Sequence, residues 1–233
     1  MNEPIINIVK IGANDMIDIL TKIKQEEDLL NDWANNILGF IRDGVVSPEQ
    51  YYNQPFKIMV LLKEANGGAD WDLREFLRTG GREQTWNNVA RWIEGILNIE
   101  QELPWKLLEG NNEARRKEML NKICAVNVKK ISGTYVADNK IIRNFAKTNS
   151  EYLKKQVEIY SPDLIICGGT EASYFQSMSP LTNPVWKMTT RGIWYVKEPN
   201  GRIVIAYSHP EARVKDCILY YGLIDAVREI LKK

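Results

Sequence analysis

Short, unbroken apolar runs recur along the chain, each bounded by polar or glycine-rich residues. Phe56 to Leu62, Ile123 to Val128 and Leu164 to Cys167 are too short for helices and apolar at both parities, the pattern of strands buried on two faces. Ile193 to Val196 and Ile203 to Tyr207 read as two further strands joined through Asn200-Gly201, a dipeptide suited to a hairpin turn. Between the runs the apolar period changes to helical spacing. Leu30, Trp33, Ile37 and Phe40 predict one or two N-terminal helices ending at Gly44, and Ser47-Pro48-Glu49-Gln50 predicts a helix start. Leu73, Phe76 and Leu77, then Val89, Trp92, Ile93 and Ile96, mark two more helices, followed by a charged one over 111–121. Ile141 to Tyr160 reads as one long helix with Ile142, Phe145, Leu153, Val157 and Tyr160 facing inward, and Cys217 to Leu231 as the last. Strands that alternate with helices predict an α/β fold: a three-layer sandwich around a mostly parallel sheet of four to five strands. With no repeat or linker, the chain divides into a helical N-terminal extension, 1–55, packed on an α/β domain, 56–233.

Composition changes this picture little, but the layout of charge changes it more. A hydrophobic share of 44% and a charged share of 26% exclude a wholly disordered chain. The net charge of +1 excludes attachment to nucleic acid by bulk charge alone. Residues 1–110, however, hold 11 basic and 18 acidic side chains, and residues 111–233 hold 20 and 12. Lys122, Lys129, Lys130, Lys140, Arg143, Lys147, Lys154 and Lys155 are opposed by only Asp138 and Glu151 over 122–155, so this stretch reads either as a solvated helix face or as an anion-facing surface. Cys124, Cys167 and Cys217 are widely spaced and suit neither a disulfide framework nor a zinc site. His209 is the only histidine, which argues against a His-based metal centre. Met1 to Gly12 has no signal-like pattern and no segment reads as a membrane span, so the expectation is a cytoplasmic protein without metal or cofactor.

In a parallel α/β sheet, ligands bind beyond the carboxyl ends of the strands. The first strand ends in Glu64, Asn66, Gly67 and Gly68, the second in Asn127, Lys129 and Lys130. The third ends in Gly168, Gly169 and Thr170, and the last in Ser208, His209, Pro210 and Glu211. Each has an ordinary explanation: glycine pairs form turns, and Asn127 is a turn-former. The nucleotide motifs G-x-x-x-x-G-K-[ST] and G-x-G-x-x-G are absent, as is the G-x-S-x-G of serine hydrolases.

Taken in order, the four turns resemble the uracil-DNA glycosylase superfamily. Lys63-Glu64-Ala65-Asn66-Gly67 is similar to the first motif of the branch reading G-E-A-P-G, and Ala125-Val126-Asn127-Val128-Lys129-Lys130 to its T-N-V-V-K. Pro162 to Gly169 resembles its P-x-x-I-x-x-L-G strand, and Ala206-Tyr207-Ser208-His209-Pro210-Glu211-Ala212-Arg213 its closing T-Y-H-P-S segment. The resemblance implies an N-glycosidic hydrolase that acts on a flipped base in single-stranded or mismatched DNA. Glu64 would then orient water and offset the cationic sugar. His209 would donate to the leaving base, and the Asn127 amide would read its edge. Asn66 and one aromatic near it, Phe76, Trp71 or Trp86, would contact the base, although core packing is the ordinary role for Phe76. Gly67, Gly68, Gly168, Gly169, Thr170, Lys129, Lys130 and Arg213 would meet the DNA backbone.

Several residues depart from that pattern. Lys63 stands where the family has Gly, Asn66 where it has Pro, and Glu211 where Ser approaches a phosphate; the branch's iron–sulfur cysteines are missing. These departures, and an acidic N-terminal extension suited to a protein partner, keep two alternatives open. One is a non-catalytic nucleic-acid or protein-binding module on the same fold. The other is a nucleoside or nucleotide N-glycosidase.

Overall fold

The computed structural model describes residues 13–133 and 136–232; Met1 to Gly12 lies outside them. In chain order the elements are α1 (Ala13–Ala34), β1 (Gly44–Val45), α2 (Pro48–Tyr52), β2 (Ile58–Glu64), α3 (Leu73–Arg78), α4 (Glu83–Leu97), α5 (Trp105–Glu109) and α6 (Asn112–Met119). A 3-10 turn leads into β3 (Ile123–Lys129). There follow α7 (Asn139–Thr148), α8 (Ser150–Tyr160), β4 (Leu164–Gly168), α9 (Glu171–Ser177), β5 (Lys187–Met188), β6 (Trp194–Lys197), β7 (Ile203–Tyr207) and α10 (Asp216–Leu231).

All strands join one mixed sheet in the order β1-β3-β2-β4-β7-β6-β5. The inner four, β3, β2, β4 and β7, run parallel, while β1, β6 and β5 add antiparallel edges. Seven strands exceed the expected four to five because two pairs of residues, Gly44–Val45 and Lys187–Met188, extend the edges. The strand residues bury alternately into two separate cores. Ile58, Val60 and Leu62 pack with Trp92, Ile93, Leu223 and Ile224 on one face. Met59 and Leu61 pack with Trp33, Ile142, Leu153 and Tyr174 on the other. Each face therefore carries its own helical layer, which is why the parallel strands are apolar throughout.

The single helix expected over Ile141 to Tyr160 is two helices broken at Asn149. The Asn149 Oδ1 accepts a 2.8 Å hydrogen bond from the Trp33 indole on α1, and its Nδ2 donates to the Phe145 carbonyl. Both polar atoms are thereby bonded where the helix turns, and the N-terminal helix is fastened to the α7–α8 junction. Trp33 also stacks on Tyr152 at 4.9 Å.

Beneath α1 lies a group of buried polar side chains. Glu26, 2% exposed, accepts the Val45 N–H at 3.1 Å and lies 3.5 Å from the Arg74 guanidinium. No Cβ fits on Gly44, whose backbone is pressed against the Glu26 carboxyl and the Tyr160 hydroxyl. Burial, opposed by Arg74, raises the Glu26 pKa from 4.5 to about 7. A carboxyl with a raised folded-state pKa binds more protons folded than unfolded, so its contribution to stability falls as pH rises from 4.5 to about 7. The Glu26→Gln protein should therefore gain stability over the parent above that window relative to below it. The expected difference is about 3 kcal/mol, read by urea denaturation at the two pH values.

Candidate functional site

The chain leaves β2, pairs β3 on one side and later returns to place β4 on the other. The carboxyl ends of β2 and β4 thus flank the point where strand order reverses, the place where α/β sheets open a crevice. The four turns that carry the candidate residues follow one another along this edge, because β3, β2, β4 and β7 are consecutive neighbours.

At the β3–β2 end, Glu64 and Lys129 are register partners, and the Lys129 ammonium is ion-paired with the Glu64 carboxylate. Lys129 is therefore engaged by Glu64 rather than presented to a phosphate. Gly133 covers this carboxylate closely enough to exclude a Cβ, and its N–H donates to the Ala65 carbonyl at 2.8 Å. Asn127 is 3% exposed and sits opposite Leu62; its backbone N–H donates to the Asp43 carboxylate at 2.8 Å. Lys130 is not at the edge. It is wholly buried on the opposite face, 2.6 Å from Asp43 and over the Trp33 ring, and no phosphate reaches it.

The loop after β2 exposes Asn66, Gly67 and Gly68, both glycines having positive φ (145° and 99°). Gly68 N–H donates to Ser132 Oγ at 3.3 Å, linking this loop to the one after β3. Trp71 borders Gly67 and carries Phe76 edge-on at 5.7 Å. Phe76 is 41% exposed, so packing falls to Trp71 and the buried Trp86, while the Phe76 ring faces outward.

At the β4 end the glycine pair serves the turn. A Cβ on Gly168 would lie 2.7 Å from Leu62 Cδ2, and Gly169 has φ +70°. Thr170 is not a ligand-facing hydroxyl: it is 2% exposed and donates to the Leu61 carbonyl at 2.8 Å. Arg213 is exposed on the loop beyond β7.

His209 Nδ1 accepts the Glu211 N–H at 3.1 Å, which leaves the neutral imidazole its proton on Nε2. Burial lowers its pKa below 6.5, the Lys63 and Arg82 charges lower it further, and Glu211 opposes them. Glu211 is exposed but engaged: its carboxylate is ion-paired with Arg82 and accepts the Thr85 hydroxyl at the start of α4. Sequence reading missed Arg82 and Thr85 because they lie more than a hundred residues from Glu211 and belong to no motif. Lys63 was visible only as a mismatch. A cavity of about 900 Å³ opens beside Tyr207 and Ser208 and extends along α10 past Cys217, Ile218 and Tyr221, but Glu64, Asn127 and His209 do not line it. Among the described residues, no cluster of three or more His, Cys, Asp or Glu could hold a metal, and no helix is long and apolar enough to cross a membrane.

Two measurements check this layout. Lys130→Met strands a buried carboxylate and should cost about 3–5 kcal/mol in urea unfolding, with the Asp43→Asn/Lys130→Met pair recovering part of the loss. Proton NMR of His209, the sole histidine, should give a titration midpoint below 6.5.

No protein-family model, curated protein or solved structure matches this chain.

Proposed function

We propose that the protein is a uracil-DNA glycosylase-like hydrolase that cleaves the N-glycosidic bond of a damaged or misplaced base in DNA. The observation that carries this reading is the gathering of four motif-bearing turns along one strand-end edge, at the reversal of strand order, with a neutral histidine among them.

The chemistry follows from these groups. Cleavage leaves a cationic sugar and an anionic base. The Nε2–H of a neutral His209 donates to the base oxygen as it gains charge, the arrangement that lowers a barrier by preorganised electrostatics. The Asn127 amide offers one donor and one acceptor to a pyrimidine edge. Glu64 faces the sugar and its attacking water only after its carboxylate turns or parts from Lys129, and substrate entry supplies the occasion for that change. Phe76, standing on Trp71, offers an exposed ring against which an extruded base stacks. Beyond the loop following β3, Lys140, Arg143 and Lys147 recur at helical spacing on exposed positions of α7, a basic stripe suited to a nucleic-acid backbone.

One observation favours a non-catalytic binding module instead. The Glu64 carboxylate is held by Lys129 under Gly133, so the group required for water activation already has a partner. The two readings separate in a single-turnover assay on uracil-containing single- and double-stranded DNA. The hydrolase releases uracil, and Glu64→Gln and His209→Ala each slow it about a hundredfold. A parent protein that binds these DNAs and releases nothing, indistinguishable from both variants, overturns the enzymatic reading for uracil.

A further inference from the structure

Three lysines mark the ends of β2 and β3, and their fates differ. Lys129 is paired with Glu64 and Lys130 with Asp43, whereas Lys63 makes no ion pair or hydrogen bond among the described residues. Lys63 is half-buried at the reversal of strand order. Its Cε and Nζ come within 3.6 and 3.8 Å of the point a Cβ on Gly169 would occupy, so its side chain lies across the bare backbone of that glycine. The Gly169 N–H donates to the Tyr207 carbonyl at 2.9 Å, two residues before His209, which joins the β4 and β7 ends at this spot. The charges facing the imidazole are Lys63 from β2, Arg82 from the start of α4, and Glu211 from its own loop. Arg82 and Glu211 neutralise each other. The Lys63 ammonium has no ion-pair partner among the described residues.

A half-buried ammonium with no ion-pair partner among the described residues, lying across Gly169 toward the strand end that carries an imidazole, calls for an anionic oxygen. We infer that Lys63 and His209 bind one oxyanion in the crevice between the ends of β2, β4 and β7, the ammonium supplying charge and Nε2–H a directed hydrogen bond. Two sources carry this chemistry: a nucleotide phosphate, or the carbonyl oxygen of a departing pyrimidine base. The site itself stands on the charge layout at this edge; only its assignment to a departing base rests on the glycosidase reading.

His209 reports on the site without ambiguity, being the only histidine. Its NMR titration is followed alone and with inorganic phosphate, and its ring resonances are recorded at alkaline pH with free uracil, which is an anion there. Phosphate bound beside the imidazole raises its midpoint, and bound uracil anion shifts its ring resonances. Lys63→Met raises the midpoint in the absence of any anion, since a neighbouring cation is lost. It also weakens the anion response roughly tenfold or more, the worth of one charge-assisted hydrogen bond; Lys63→Arg retains the response. A response to phosphate only assigns the site to a nucleotide phosphate, and a response to uracil only assigns it to the leaving base. Unmoved resonances with both anions, or a Lys63→Met protein that responds with the parent's affinity, overturn the inference. Anion binding without base release defeats the glycosidase reading alone, and base release without anion binding defeats this site alone.

Discussion

The buried carboxylate of Asp43 sets the geometry on which the candidate site depends. It is 0% exposed and accepts from the Lys130 ammonium at 2.6 and 2.8 Å, from the Asn127 N–H at 2.8 Å and from Gln156 Nε2 at 3.2 Å. A carboxylate so far from water persists only with such partners. Their convergence ties the last residues of β3 to β1 and α8 and turns Lys130 away from the crevice. Adjacent strand residues face opposite sides, so turning Lys130 inward directs Lys129 to the other face, where it meets Glu64. The charge arrangement at the sheet edge thus begins with one aspartate on the connection into β1.

The same logic disposes of the charge imbalance along the sequence. Of the eight basic residues over 122–155, Lys122, Lys129, Lys130 and Lys154 are ion-paired within the fold. On the acidic side, Glu26 is buried, Glu27 contacts Arg42 and Arg74, Asp28 pairs with Lys24, and Asp32 accepts the Tyr152 hydroxyl. Glu26, Glu27 and Asp32 therefore fasten the helix to the fold, while the Asp28–Lys24 pair lies within α1 and faces outward. Near His209, Arg82 and Glu211 are paired with each other, which leaves Lys63 as the half-buried cation there and Arg213 as an exposed one.

The parallel core of the fold was legible because its strands are buried on both faces and so read as unbroken apolar runs. Two-residue strands such as β1 and β5 have no periodicity to read, and the sheet came out wider for that reason. The break at Asn149 was hidden because its cause, the Trp33 indole, is 116 residues away. The site was legible only as an ordered set of turns. Sequence placed Lys129 and Lys130 together at a strand end, but which of them is swallowed depends on Asp43, 87 residues before Lys130. Thr170 looked like a ligand-facing hydroxyl until its donor role to Leu61 fixed it inside. Lys63 shows the converse: a mismatch to a motif is a half-buried cation without an ion-pair partner among the described residues.

That these strand ends act as one site is tested most directly by backbone amide chemical shifts of the protein titrated with a uracil-containing single-stranded oligonucleotide. Perturbations grouped at Lys63 to Gly68, Gly168 to Gly169 and Ser208 to Arg213 are expected. Perturbations confined to the cavity along α10 or to α1, with these three segments silent, would show that the strand ends do not form one site.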